Sequence, residues 1–197
     1  MNETINYYNQ NGESFASSTV DVEFSAHQGT FLSLLPPAAR ILDFGCGSGR
    51  DAKYFLEHGF RVDAIDGSEA MCAIAMAYTG LGVRHMYFQD LAEEEKYDGI
   101  WACASILHLP WVDLEDVFAK MLRALKPHGI IYTSFKYGDF EGFRTGRYYT
   151  DMTEERFSRF LAPFRNVALI KSWVTSDVRP GRDDEKWLNL LLEKTIS

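Results

Sequence analysis

The sequence predicts an α/β fold, a doubly wound parallel sheet with helices on both faces. Three observations predict it. Short apolar runs alternate with segments of helical period, which is the pattern of strand–helix–strand units. A glycine triplet at 45, 47 and 49 follows the first apolar run directly. The chain has 197 residues and is 46% apolar, which suits one domain with a sizeable core.

The elements follow in order. Residues 1–20 read as polar and loop-like, with Tyr7, Tyr8 and Phe15 interspersed. From about 21 to 35, Phe24, Phe31, Leu32 and Leu35 fall near helical period, and Pro36-Pro37 stops that helix. Residues 40–44 form the first strand. A helix over 51–58 ends at Gly59, a residue suited to the left-handed position after a helix. The second strand is 61–66, and Ser68 caps the next helix with Glu69 in its first turn. The third strand is 83–88 and the fourth 97–104. A helix over 112–125 buries Leu114, Val117, Phe118, Met121, Leu122 and Leu125 on one stripe. The fifth strand is 130–135. Residues 136–152 are rich in glycine and aromatics and show no clear period. Thr153-Glu154-Glu155 opens another helix, and two final strands, 164–175 and 186–195, close the sheet with an antiparallel pair.

The segment Ile41-Leu42-Asp43-Phe44-Gly45-Cys46-Gly47-Ser48-Gly49-Arg50-Asp51 carries the chemistry. A strand runs into an acid, then a glycine-rich turn, then a helix start. Glycines let a ligand approach the backbone, and the turn offers free N–H groups. The dinucleotide spacing G-x-G-x-x-G would need a third glycine at 50, where Arg50 stands. Asp66 closes the second strand, 21 residues after Gly45, which suits a carboxylate on a ribose. The third strand ends at Gln89-Asp90-Leu91. The fourth carries Tyr97-Asp98-Gly99-Ile100, and Lys126-Pro127-His128-Gly129 precedes the fifth.

Taken in this order, these motifs resemble the class I S-adenosylmethionine (SAM) methyltransferases over residues 38–136. The wording of the Gly-Ser-Gly-Arg-Asp, Ile-Trp-Ala-Cys-Ala-Ser and Ser-Phe-Lys-Tyr-Gly stretches is similar to that of the small bacterial tellurite-resistance-type subgroup. The resemblance implies a Rossmann-like, seven-stranded sheet in the order 3-2-1-4-5-7-6, with strand 7 antiparallel. It implies SAM as cofactor, held by Asp43, Gly45, Cys46, Gly47, Gly49, Asp66, Gly67, Met71, Asp90, Leu91 and Ala104. It divides the single domain into an N-terminal lid and helix (1–37), a SAM-binding core (38–136) and a substrate-side loop and hairpin (137–197).

SAM is already an activated electrophile, so the protein chiefly has to align donor and acceptor and exclude water. Candidate catalytic residues are His108, after the fourth strand, Lys136, after the fifth, and Tyr8 in the lid. Arg144, Arg147 and Tyr148 in the 136–152 segment, with Arg179 and Arg182 in the terminal hairpin, are candidates to bind a small-molecule acceptor. Guanidinium forks suit an oxyanion or carboxylate. Two alternatives stay open: an NAD(P)-binding oxidoreductase and a non-catalytic SAM-binding protein. The dehydrogenase-like Tyr132-x-x-x-Lys136 is not evidence for the first. On a strand these residues stand roughly 13 Å apart, not on one helix face.

The net charge of −8, without a Lys/Arg block, disfavours nucleic acid. The chain lacks an acidic or polar P-P-aromatic motif after the fourth strand, which many nucleic-acid amino-methyltransferases carry. No apolar stretch approaches a membrane span and no signal peptide is evident, so a cytoplasmic protein with no membrane partner is expected. Cys46, Cys72 and Cys103 lack zinc spacing, so no metal is expected and the thiols read as small buried fillers. Nothing in the sequence reads on oligomeric state.

Overall fold

The computed structural model describes residues 2–179, 181–182 and 184–196. Its elements are α1 (Asn2–Ser17), α2 (Ser25–Leu32), β1 (Arg40–Phe44), α3 (Arg50–Glu57), β2 (Arg61–Asp66), α4 (Glu69–Thr79), β3 (Arg84–His85) and β4 (Tyr97–Ala102), then α5 (Trp111–Ala124), β5 (Leu125–Lys136), β6 (Glu141–Arg144), β7 (Arg147–Thr150), α6 (Glu154–Leu161), β8 (Val167–Ser176) and β9 (Lys186–Lys194). Single 3-10 turns follow β3 (Phe88–Asp90) and β4 (Ile106–His108).

Seven strands form one sheet in the order β3-β2-β1-β4-β5-β9-β8. The first five are parallel, and β9 runs antiparallel to both β5 and β8. The observed order differs in numbering from the expected 3-2-1-4-5-7-6, because a separate two-stranded ribbon, β6–β7, precedes the last pair. That ribbon lies where no regular structure was expected. Its connection is Thr145-Gly146, with φ of 48° and 79°. Two successive positive-φ residues give the hairpin turn that matches strand twist.

Two further expectations are corrected. Residues 1–20 are not loop-like, for α1 runs from Asn2 to Ser17. It docks through small contacts rather than a long apolar stripe: at Gly12 a Cβ would stand 3.3 Å from Ala70 and 3.4 Å from Met71 Sδ. The third strand is only Arg84–His85, since the chain bends into the Phe88–Asp90 turn, where Asp90 N–H meets the Tyr87 carbonyl at 3.0 Å.

The core fills both faces of the sheet. One cluster joins Ile100, Phe135, Leu114, Val117, Phe118, Phe157 and Phe160, so the stripe of α5 packs inward as its period requires. The opposite face carries Phe31, Phe55, Trp101 and Tyr132, the last two stacked at 3.9 Å. Ser68 caps α4 by accepting from Met71 N, and Thr153 caps α6 by accepting from Arg156 N, both at 3.2 Å. None of the described helices is long and apolar enough to cross a membrane.

Phe160 is buried and touches the rings of Trp111, Phe118, Phe157 and Phe164. Phe160→Ala is expected to cost about 3–5 kcal/mol of stability, read as a lowered urea midpoint at unchanged slope.

Candidate functional site

A cavity of about 1010 Å³ opens at the carboxyl ends of β1, β2, β4 and β5. It stands at the upper end of the range for small-molecule sites, so it has room for two ligands side by side. Its place is the switch point where β2 and β4 leave opposite sides of β1.

The inner end is built by the glycine loop. Gly45 N and Cys46 N both donate to the Ile65 carbonyl, at 3.0 and 2.9 Å. Gly45 has φ 86°, and a Cβ there would lie 2.5 Å from Ser105 Cβ, so only glycine fits. Gly47 has φ 54°, and a Cβ there would meet nothing nearer than Met71 Cε at 3.9 Å. Its bare Cα therefore leaves space over the loop for a ligand. Asp66 clasps the turn: Oδ2 accepts from Gly47 N and Oδ1 from Ser68 N, both at 2.9 Å. Burial raises the Asp66 carboxyl above its ordinary pKa, against the pull of these two N–H groups. Each oxygen keeps acceptor capacity for a diol. Ser68 Oγ also donates to Asn9 of α1 at 2.7 Å, so α1 is tied to this end.

Of the residues expected to hold a cofactor, Gly45, Cys46, Gly47, Asp66, Gly67, Met71 and Ala104 line the cavity. Asp43, Gly49, Asp90 and Leu91 are not among its lining residues. Asp43 lies buried with its Oδ2 unpartnered, and its carboxyl is pushed well above the usual range by burial and by nearby Asp51. Gly49 serves packing: a Cβ there would stand 2.8 Å from Thr79 and 3.2 Å from Ala75 of α4. Asp90 is exposed on its turn, Leu91 is in the core, and Tyr87 and Phe88 line the cavity instead.

Sequence reasoning missed Arg50 and Asp51, which line the cavity immediately after the glycines. Arg50 grips Asp51 through Nε and one terminal nitrogen, both at 2.9 Å, and lies 4.6 Å over the Phe24 ring. Asp51 also accepts from Trp101 Nε1 and Gln28 Nε2. Burial alone would raise its pKa, but Arg50 and these donors hold it below the usual carboxylate range. The signal available was position: charged residues at the first turn of a helix opening on a ligand loop. Cys46 and Cys72 are buried and Cys103 half-buried, all as free thiols.

The outer end is roofed by α1 and the ribbon. His108 Nδ1 lies 2.6 Å from the Tyr148 carbonyl, which can only accept, so Nδ1 carries the proton. Nε2 is then the acceptor for the Tyr8 hydroxyl at 2.9 Å. Burial lowers the His108 pKa to about 4, with Arg147 and Arg144 adding to the effect and the Tyr148 carbonyl opposing it. The imidazole is neutral near pH 7. Lys136 is ion-paired with Asp177 at 3.2 Å and with Glu185, and lies 4.2 Å from the Trp187 ring, so it is not a free amine. Tyr148 does not line the cavity.

The four arginines do not form one clamp. Arg144 pairs with Asp151 and Arg179 with Asp177, both at 2.6 Å, and Arg182 with Glu185 at 3.5 Å. Arg147 pairs with no carboxylate among the described residues. Its guanidinium lies 4.5 Å from the Tyr7 ring and 5.4 Å from Tyr149, and a terminal nitrogen reaches the Tyr8 hydroxyl at 3.4 Å.

The His108 shift has a pH signature. A histidine charged in the unfolded chain but neutral when folded makes stability rise with pH between about 4 and 6.5. Between pH 7 and 5 this group accounts for about 2 kcal/mol of lost stability. His108→Gln should remove that share, so urea midpoints at the two pH values should differ less than in the wild type.

Comparisons with known proteins accord with this architecture. Residues 41–129 match the model of a methyltransferase domain. The chain is 34% identical over 113 residues to YqeM of Bacillus subtilis, a protein with a methyltransferase name that specifies no substrate. The match covers 52% of this chain and 46% of YqeM. The chain spans less than half the length of the curated relatives it matches. The Burkholderia thailandensis 1,6-didemethyltoxoflavin N1-methyltransferase, solved with that compound and S-adenosylhomocysteine, superposes with a TM-score of 0.77. The alignment is 23% identical and covers 96% of this chain and 85% of that one. The [4+2]-cyclase SpnF also superposes, at a TM-score of 0.70 and 16% identity over 87% of this chain and 81% of that one, so the fold by itself does not fix the reaction. The fold is that of SAM-dependent methyltransferases of known structure, and residues 41–129, which bear the glycine loop, match a methyltransferase domain.

Proposed function

We propose that the protein is a SAM-dependent methyltransferase acting on a small-molecule acceptor that carries an oxyanion or carboxylate. The observation that carries this reading is Asp66 set beside the open glycine loop at the sheet switch point. The residues fit an adenosyl ligand: Asp66 offers two oxygens to a ribose diol, Gly45, Cys46, Gly47 and Gly67 offer backbone approach, and Met71 offers a soft apolar face. Asp43 and Gly49 support the loop from behind, Ala104 borders the methionine end, and Tyr87 with Phe88 stands where the base edge was expected to meet Asp90 and Leu91. When bound, SAM supplies an electrophilic methyl group whose leaving group is a neutral thioether.

In this reading 1–37 serve as lid, 38–136 as cofactor-binding core and 137–197 as the acceptor side. Tyr8 and His108 position the acceptor, and Lys136 is a structural cation. Among the arginines, Arg147 is the acceptor's counter-charge, while Arg144, Arg179 and Arg182 shape the wall with Tyr148 behind it. A cytoplasmic setting and the tellurite-resistance-type subgroup are consistent with this layout.

Calorimetric titration with SAM, S-adenosylhomocysteine and NAD tests the assignment. Binding of the first two and not the third is expected, and NAD binding alone would reverse it. Asp66→Ala should weaken S-adenosylhomocysteine binding about 10- to 100-fold through loss of charge-assisted bonds. Asp90→Ala, at an exposed position, should cost less than Asp66→Ala in the same titration.

A further inference from the structure

Arg147 differs from every other arginine at the outer end. It lines the cavity, has no acidic partner among the described residues, and its Nε is buried without a hydrogen-bond partner. The groups facing it are Tyr7 and Tyr8 from α1, His108 from the 106–108 turn, Tyr149 from β7, and Arg144 from β6, which Asp151 neutralises. The Asp66 carboxylate acts on Tyr8 less than burial, Arg147 and Tyr149 do. Tyr8 and Tyr149 keep their protons near neutral pH, because burial raises both, and His108 is neutral. A half-buried cation walled by aromatic rings lacks the counter-charge it needs.

The hydrogen-bond chain around it has a fixed direction. Arg147 donates to the Tyr8 oxygen, the Tyr8 proton goes to His108 Nε2, and the His108 proton goes to the Tyr148 carbonyl. His108 Nε2 is therefore already occupied. The Asp151 carboxylate is held by Arg144, and Asp177 by Lys136, Arg179 and Trp187. Around Arg147 the described residues offer a positive charge and flat apolar faces, and no vacant base.

Building on the methyltransferase reading, we propose that the acceptor is a flat, conjugated acid bound as its anion, with its charge on Arg147 and its plane among the Tyr7, Tyr8 and Tyr149 rings, and that no residue around Arg147 takes its proton. The acceptor's ionised heteroatom supplies the electron pair for the new bond to the methyl carbon. The carbon–sulfur bond breaks with its pair left on sulfur, and no proton remains to be removed.

The test uses the full chain saturated with S-adenosylhomocysteine and three probes: 4-nitrophenol, whose anion is yellow, its neutral methyl ether 4-nitroanisole, and the non-planar cyclohexanecarboxylate. Titration is read by absorbance and calorimetry at a pH below the solution pKa of 4-nitrophenol. The wild type should raise the yellow band on binding, and should bind 4-nitrophenol about tenfold or more tighter than either comparison probe. Arg147→Met should lose the band and that preference while still binding S-adenosylhomocysteine, and Arg147→Lys should restore part of both. Binding without the band, equal affinity for 4-nitroanisole or cyclohexanecarboxylate, or no binding of 4-nitrophenol would overturn the inference and leave the methyltransferase reading standing. So would retention of the band in Arg147→Met. Failure to bind S-adenosylhomocysteine would overturn both.

Discussion

The site depends on one clasp, in which the end of β2 holds the loop that leaves β1. The Ile65 carbonyl takes two consecutive N–H groups of the loop, and the Asp66 carboxylate takes a third. Three donors anchored on one strand end leave the Gly45–Gly47 backbone little freedom, even though glycine is the residue with most to lose on ordering. The same carboxylate that fixes the loop also faces the cavity. Loop geometry and ligand-facing charge therefore rest on a single side chain, positioned by an ordinary parallel register between β1 and β2.

The cavity's two ends solve different electrostatic problems. At the inner end, backbone donors and the Asp66 carboxylate meet at a strand terminus, beside the paired Arg50 and Asp51. At the outer end the charges are carried by long side chains, and nearly all are matched: Lys136, Arg179, Asp177 and Glu185 form one linked group, and Arg144 has Asp151. Such matching removes free charge from the wall and stiffens it. Against that background a single unmatched guanidinium carries more meaning than a count of arginines would suggest.

Much of this was legible in the sequence, and the physical reasons are specific. β1 and β4 announced themselves because their buried runs are largely apolar, β2 through the acid that ends it, and α5 because its stripe has a clean period. The glycine loop and Asp66 were legible because their spacing is dictated by backbone geometry. α1 was not, since it docks through Gly12, Thr4 and Asn9 rather than through an apolar face. The ribbon was hidden because its Thr145-Gly146 turn lacks the stronger Asn-Gly signal and its strands are four residues long. Charge pairing was the least legible feature. Arg179 and Asp177 are neighbours in sequence, but Lys136–Asp177 joins residues 41 positions apart, brought together by β9 pairing with β5 on one side and β8 on the other.

One more property follows from where α1 lies. Asn9 bonds Ser68 beside the cofactor loop, while Thr4 Oγ1 accepts from Tyr148 N and Tyr8 meets His108 beneath the ribbon. One rigid rod of sixteen residues thus spans both compartments, with a latch at each. Rods do not lift at one end without straining the other. The same sixteen residues therefore carry hydrogen bonds to both compartments, so a displacement of α1 at one bears on its bonds at the other.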